Sequence, residues 1–208
     1  MPAQPPSRAA LQGRLARLEP FAEHHRAALY AALSQPGLYD HLPYGPFDEA
    51  SWDEWFRASA ASADPLFFAI VEGELPVGQA SYLRIEPGHG VIEVGHLAFG
   101  AALQRTPAAT EAIYLLARHA FDELGYRRVE WKCDALNDRS RRAAERFGFS
   151  FEGIFRQHMI VKGRNRDTAW YSIIDGEWAS VRAAFEAWLD PENFDPEGRQ
   201  LRALAELR

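Results

Sequence analysis

Residues 91–125 read VIEVGHLAFGAALQRTPAATEAIYLLARHAFDELG. The stretch Val91 to Phe99 is apolar enough to predict a strand, and Gly95 in its interior predicts a bulge or the close approach of another backbone or a ligand. Further on, Ala109, Ala112, Ile113, Leu116, Ala120, Phe121 and Leu124 recur at one-face helical spacing and end at Gly125, the usual stop position. Thr106 suits an N-cap and Pro107 the first helical position, where the missing N–H would be unpaired anyway. Strand, loop and capped helix in this order direct free N–H groups and the positive end of a helix dipole toward Gln104 to Ala109, an arrangement that holds phosphate. Helix starts of this kind occur in every α/β domain. The signal strengthens because Arg105, Arg139, Arg141 and Arg142 stand beside this helix start and the next.

Upstream, Leu66 to Val71 and Val77 to Ile85 flank the turn Glu72-Gly73-Glu74, which predicts an antiparallel hairpin leading into the strand at 91–99. Before it, Leu11, Leu15 and Leu18 suggest helical spacing. Glu23 to Leu33 suggests a second helix that Pro36 and Gly37 stop, and Ser51 to Ser59 a short one capped by Ser51 with Trp52, Trp55 and Phe56 on one face. Downstream, Val129, Trp131 and Cys133 alternate as a strand. Asn137 caps a helix to Phe147 with Gly148 as its stop, and Phe149 to Phe155 and Thr168 to Ile174 supply two more strands. The expectation is an α+β fold, a mostly antiparallel twisted sheet of about six or seven strands with helices on both faces. Residues 1–10 read as a flexible tail, 11–189 as the domain, and 190–208 as a linker and short amphipathic tail.

The chain has 208 residues, 47% of them hydrophobic and 25% charged, which suits one soluble domain with a sizeable core. No uncharged stretch exceeds the 13 residues of Ala27 to Tyr39, too short to span a bilayer, and the N-terminus lacks the apolar core of a signal peptide. Cys133 is the only cysteine, so no intramolecular disulfide forms; the cytoplasm is expected, with no membrane partner. The net charge of -6 argues against a nucleic-acid partner, yet residues 100–170 carry 13 basic against 9 acidic side chains between acidic flanks. Of the 23 cations 21 are Arg, whose planar fork suits phosphate.

These segments resemble the GCN5-related N-acetyltransferases, and within them the group of the RimJ and RimL ribosomal-protein N-terminal acetyltransferases. Glu93-Val94-Gly95-His96 is similar to that group's central strand, Gln104 to Ala112 to its pyrophosphate loop and helix start, and Ala120 to Gly125 to the end of that helix. Asn137-Asp138-Arg139-Ser140, then Phe147-Gly148-Phe149 and Glu152-Gly153, resemble its second cofactor-side helix and the turn beyond, and the likeness runs over roughly residues 15–178.

The resemblance implies direct transfer of an acyl group from acyl-coenzyme A, acetyl-CoA first, to an amine, with no metal. The site must then remove a proton from the amine, polarise the thioester carbonyl and let the thiolate leave. It further implies that Leu97, Ala98 and Phe99 pair with the pantetheine arm, while Gln104, Arg105, Thr106, Pro107, Ala108, Ala109 and Thr110, with Asn137, Arg139 and Ser140, hold the cofactor. Two positions depart from the pattern: Pro107 stands where glycine is expected and removes a donor, for which Arg105 could compensate, and Ala144 stands where many members carry a leaving-group tyrosine. The resemblance to the RimL-like group instead implies a Ser in the leaving-group role, which here is Ser140. Glu93 and His96 are the candidates for proton removal, although in a regular strand they face opposite sides unless a bulge intervenes. A half-buried structural histidine is an equally good reading of His96.

His24, His25, Asp40, His41 and Tyr44 are offered as acceptor-pocket residues, and the acidic first half would suit a cationic acceptor: a protein or peptide N-terminus, a polyamine, or an amine-bearing small molecule. From a different class, Pro107 and Ala144 also fit an acyl-CoA-binding protein with little catalysis. His89, Glu93 and His96 do not converge as metal ligands on a strand. The aromatic content would suit a homodimer, although Trp170, Trp178 and Trp188 could equally be core.

Overall fold

The computed structural model describes residues 2–208. Its elements are β1 (Leu11–Gln12), β2 (Arg17–Pro20), α1 (Arg26–Leu33), α2 (Glu49–Ala61), β3 (Leu66–Glu72), β4 (Leu75–Glu86), β5 (Val91–Phe99), α3 (Pro107–Arg118), β6 (Arg128–Asp134), α4 (Asp138–Arg146), β7 (Ser150–Val161), β8 (Arg164–Ile174) and α5 (Asp175–Leu189). They build one eight-stranded sheet in the order β1-β2-β3-β4-β5-β6-β8-β7. Every neighbouring pair is antiparallel except β5 and β6.

Because side chains alternate across a strand, the sheet sorts its residues into two layers. Phe68, Tyr82, Ile92, Val94, Val129, Trp131 and Tyr171 face the main core, against Ile113 and Leu116 of α3 and Phe185 and Trp188 of α5. On the other face Phe67, Ala69 and Ala98 meet Leu29 and Leu33 of α1 and Trp52 and Phe56 of α2. The α1–α2 layer packs on β3 and β4, and no α-helix packs on this face over β6 and β8. That uncovered half of the face is where polar residues gather.

Several expectations are corrected. Leu11, Leu15 and Leu18 do not lie on a helix: Leu11 pairs with Leu18 across β1 and β2, and Leu18 then pairs with Ile70. The intervening turn is held by the buried carboxylate of Glu111, which accepts the N–H groups of Arg14 (3.0 Å), Leu15 (2.6 Å) and Ala16 (2.7 Å). This tertiary contact overrides the local periodicity. Helix α2 is capped by Asp48, with Ser51 in its first turn returning the bond to the Asp48 N–H at 3.1 Å. The long helix closes with a π-helical turn at His119–Glu123, where the Tyr82 hydroxyl donates to the Leu116 carbonyl at 2.6 Å and intrudes on the ladder.

Strands β7 and β8 run longer than expected, to a turn at Lys162 and Gly163 with φ of 49° and 72°; the exposure of the edge strand β7 and its irregularity between Phe155 and Met159 blur the alternation. Helix α5 was not anticipated as an element. Residues expected as loose termini lie against the domain. Ala3 is buried, the Gln4 N–H donates to the Leu124 carbonyl at 2.8 Å, and Leu204 and the Asn193 side chain are buried. No helix is long and apolar enough to cross a membrane.

Candidate active site

Strands β5 and β6 pair at Val91↔Arg128, Ile92↔Val129 and Glu93↔Glu130, and at no later position. Beyond Glu93, β5 remains bound to β4 as far as Phe99, and β6 to β8 as far as Asp134, so the parallel pair opens into a wedge. Backbone groups of β5 past the split have no ladder partner on the β6 side. An extended amide-bearing chain fits such an edge. Both strands point their C-terminal ends the same way, which brings the starts of α3 and α4 to the open end, the usual ligand position in parallel α/β units.

The start of α3 is built as anticipated. Thr106 Oγ1 accepts the Ala109 N–H at 3.1 Å, and Pro107 follows in the first helical position. Gln104 folds back so that its side-chain amide donates to the Phe99 carbonyl at 2.8 Å, which braces the loop against the end of β5. Arg105 is exposed with φ of 64°, and among the described residues neither its N–H nor that of Ala108 has a partner. These two donors and the Arg105 guanidinium could hold a diphosphate; Ala108, Ala109 and Thr110 are buried. At α4, Asn137 Oδ1 caps the Ser140 N–H at 3.1 Å and Arg139 is exposed. Ser140 Oγ accepts from the Trp131 indole at 3.0 Å beside the Cys133 thiol, whose pKa burial raises. Ala144 is fully buried, so nothing there reaches the wedge.

On β5 the bulge expected near Gly95 is present. Gln79 pairs with Ala98 and Ser81 with Gly95, so His96 and Leu97 together oppose Ala80 alone, and His96 takes φ of 50°. The extra residue turns His96 onto the face that carries Glu93, Ser81 and Phe67. Its ring stacks on Phe67 at 5.1 Å between centroids and lies 5.4 Å from Tyr44. His96 Nδ1 is 2.9 Å from Ser81 Oγ, and Ser81 donates its own proton to the Gly95 carbonyl at 3.2 Å. With the hydroxyl proton on that carbonyl, Ser81 Oγ accepts from Nδ1–H and the lone pair falls on Nε2. Burial, with Arg84 nearby, pushes the imidazole pKa down to about 4, so the ring is neutral at pH 7.

Glu93 sits at the base of the wedge, 3% exposed, in a chain of charges. A second irregularity of β4, between Leu83 and Glu86, turns Arg84 (φ 47°) onto the Glu93 carboxylate. Lys132 bridges Glu93 at 3.0 Å and Glu130 at 2.6 Å, with its ammonium 3.8 Å above the Trp170 ring. Burial raises the Glu93 pKa and the two cations oppose that rise. Both cations meet the carboxylate at Oε2, while His96 bonds through Nδ1 and its Nε2 has no side-chain partner among the described residues.

Over this face hangs the loop at residues 37–47. Tyr44 Oη accepts from the Gln79 amide at 2.9 Å, His41 Nδ1 lies 3.3 Å from Asp134 on β6, and Lys162 donates to the Tyr39 carbonyl at 2.7 Å. Of the proposed pocket residues, Tyr44 and His41 therefore reach the wedge. Asp40 instead lines a cavity of about 260 Å³ with Tyr30, Tyr39 and Phe47. His24 and His25 lie elsewhere, with Glu19. His25 Nδ1 accepts the Ala22 N–H at 3.2 Å, so its Nε2 carries the proton and donates to Glu19 at 3.0 Å, a polarity unsuited to a metal ligand. Sequence reasoning missed Ser81, Gln79, Lys132 and Arg166. Only the strand periodicity, which sets these residues on the same face as Glu93, could have flagged them.

Residues 16–150 match the family model described as an acetyltransferase (GNAT) domain. A GCN5-related N-acetyltransferase from Brucella melitensis superposes with a TM-score of 0.97 at 47% identity, covering 99% of this chain and 96% of that one. A GNAT-family protein from Chromobacterium violaceum, described as a probable acetyltransferase, gives 0.82 at 42% identity over 86% of this chain and 92% of its own. Among curated proteins, YdaF of Bacillus subtilis is 38% identical over 69 residues, or 33% of this chain and 38% of that protein. The N-acetyltransferase p20 of Bacillus licheniformis, itself uncharacterized, is 27% identical over 114 residues, or 54% of this chain and 64% of that protein. The chain thus spans less than two thirds of the curated relatives it matches.

Proposed function

The chain belongs to the GNAT family of acetyltransferases, and we propose that it transfers an acyl group, acetyl in the simplest case, from acyl-coenzyme A to a primary amine by direct attack in a ternary complex. The observation that carries this reading is the wedge itself: β5 and β6 part after Glu93 and Glu130, with a bulged histidine on one side and two capped helix starts at its mouth. Acyl-coenzyme A supplies the activated thioester. In this reading the unpaired edge of β5 from Leu97 to Phe99 binds the pantetheine amides. The Arg105 and Ala108 N–H groups, the Arg105 side chain and Arg139 face the phosphates, while Gln104 and Thr106 brace the loop. Pro107 removes one donor, and Arg105 makes up for it with a full charge.

Proton removal falls to His96. An amine attacks in its neutral form, and as its nitrogen bonds to the acyl carbon the remaining N–H becomes strongly acidic. A weakly basic imidazole therefore suffices, provided that it is unprotonated and aimed by its Nε2. The Ser81 bond and burial meet both conditions. Glu93, held by Arg84 and Lys132, sets the local charge and does not take the proton. The carbon–sulfur bond breaks as the carbon–nitrogen bond forms, and the Ser140 hydroxyl, whose oxygen accepts from Trp131, has its proton left to offer the departing thiolate. A buried, reduced Cys133 suits the cytoplasm.

The test is thiol release from acetyl-CoA across an amine panel, with calorimetric titration of coenzyme A alongside. Acceptor-dependent release is expected. Heat of binding without release on any amine would favour an acyl-CoA-binding protein, and no heat would remove the reading altogether.

A further inference from the structure

The polar face of the wedge carries an imbalance that the transfer chemistry leaves unused. Four buried side-chain polar atoms lack a hydrogen-bond partner among the described residues: Gln79 Oε1, Arg166 Nε, Trp170 Nε1 and Tyr126 Oη. The first three lie on one face of the sheet. Gln79 neighbours Ala98 on the α1–α2 side, Trp170 pairs with Lys132, and Arg166 stands two residues from Thr168, which pairs with Asp134. Buried polar groups are satisfied in the great majority of cases, so three orphans on one face mark a surface shaped for something else.

Arg166 is the outlier in charge as well. Arg84 has Glu93, and Lys132 has Glu93 and Glu130. Asp134 is spoken for by the Leu136 N–H at 2.9 Å and by His41. No ion pair or side-chain hydrogen bond among the described residues includes the Arg166 guanidinium, although burial works against its charge. The backbone holds it there. Between Phe155 and Met159 strand β7 carries extra residues against Thr168 and Arg166 of β8, and Gln157 takes φ of 51°. Asp167 pins that bulge by accepting the Gln157 N–H at 2.7 Å and the Asn165 amide at 2.9 Å. The hairpin tip beyond is tied to the 37–47 loop through Lys162 and Tyr39. Arg166 therefore sits half-buried on the face that His96 shares, next to the hairpin end that this bond ties to the loop.

We propose that Arg166 receives a carboxylate borne by the acceptor, so that the amine acylated here belongs to an amino-acid-like molecule or an acidic peptide and not to a polyamine. The inference rests on the acyltransferase reading for the identity of the amine, and on the orphaned guanidinium for the anion. A carboxylate matches one guanidinium in charge and in its two parallel acceptors. A phosphate dianion would call for a second free cation, and Arg84 and Lys132 are committed. Gln79 Oε1, an acceptor without a donor next to the His96 carbonyl, suits the amine N–H at the other end of the same molecule.

The experiment compares amino acids with their carboxamides, acidic peptides with their amide counterparts, and phosphoethanolamine as the phosphate arm. Thiol release is followed together with calorimetric binding to the coenzyme A-loaded protein. The carboxylate member of the best pair is expected to exceed its amide by about tenfold or more in kcat/KM. Arg166→Met should equalise the two and Arg166→Lys retain part of the difference. Because Arg166 Nε is buried without a partner and burial works against the charge, Arg166→Met should melt no lower than the parent. Free amino acids and acidic peptides are told apart by which pair shows the preference. Release without any carboxylate preference, a preference for phosphoethanolamine, or a preference that survives Arg166→Met overturns the inference while the transferase reading stands. Carboxylate-selective binding without thiol release does the reverse. A large loss of stability in Arg166→Met would assign the residue to the fold and also overturn it.

Discussion

Ser81→Ala tests the hydrogen bond that would orient His96 as the proposed base. The substitution removes the acceptor at 2.9 Å from Nδ1 and nothing else of size, since Ser81 is fully buried beside Gly95. A neutral hydrogen bond of this kind is worth about 0.5–1.5 kcal/mol, so kcat/KM should fall roughly two- to twelvefold as the ring redistributes between tautomers. His96→Gln removes the base itself and should lower kcat by about a hundredfold or more. The pH profile carries the sign. With its pKa depressed to about 4, His96 in the free enzyme is unprotonated from pH 5 upward. The acidic limb of kcat/KM belonging to this group should then lie near that value and not near the ordinary histidine value, and it should vanish in His96→Gln. The same depression makes the unfolded chain bind the proton first, so stability should decline as pH falls from the ordinary histidine range toward 4. The assay is thiol release at saturating acetyl-CoA across pH on the parent and both variants. Unchanged kcat/KM in Ser81→Ala, together with full activity in His96→Gln, would refute the assignment.

Three further outcomes are expected. Glu111→Ala strands three backbone N–H groups of the Arg14–Ala16 turn and should lower stability by roughly 3–5 kcal/mol, read as a fall in melting temperature; a change under 1 kcal/mol would disprove the turn's dependence on that carboxylate. Arg105→Ala should weaken coenzyme A binding by roughly five- to tenfold in calorimetry, with the loss shrinking at high salt, whereas unchanged affinity removes Arg105 as the substitute for the donor missing at Pro107. Lys132→Met leaves Glu93 and Glu130 facing one another without their shared cation, so urea unfolding should show a loss of roughly 3–5 kcal/mol at pH 8 that narrows as pH falls and Glu93, whose pKa burial raises, takes up a proton.

Much of the fold is legible along the chain because its signals are local. The Thr106-Pro107 start, the one-sided stripe to Leu124, the Asn137 cap and the strand at Val91–Phe99 each need only neighbours within a few residues, and each stands where the periodicity puts it. The N-terminal leucines were misread because their pairing partners, Ile70 and the Glu111 carboxylate, lie far off in sequence. The bulge at Gly95 was foreseeable from a glycine inside a strand. Which residue it would turn was not, since that depends on the register against β4.

The order of residues by itself determined the family, the strand at Val91–Phe99, the two capped helices and the short list from which a base must come, since caps, stops and alternation act over one or two turns of chain. Only the tertiary structure supplies the grounds for proposing His96 over Glu93, because Arg84, Lys132 and Ser81 arrive from other strands: two cations pair with the carboxylate at Oε2, and a hydroxyl lies against the imidazole. It alone also exposed Arg166, whose Nε is buried without a hydrogen-bond partner among the described residues, for whether a cation is paired depends on three-dimensional distances that no spacing along the chain encodes.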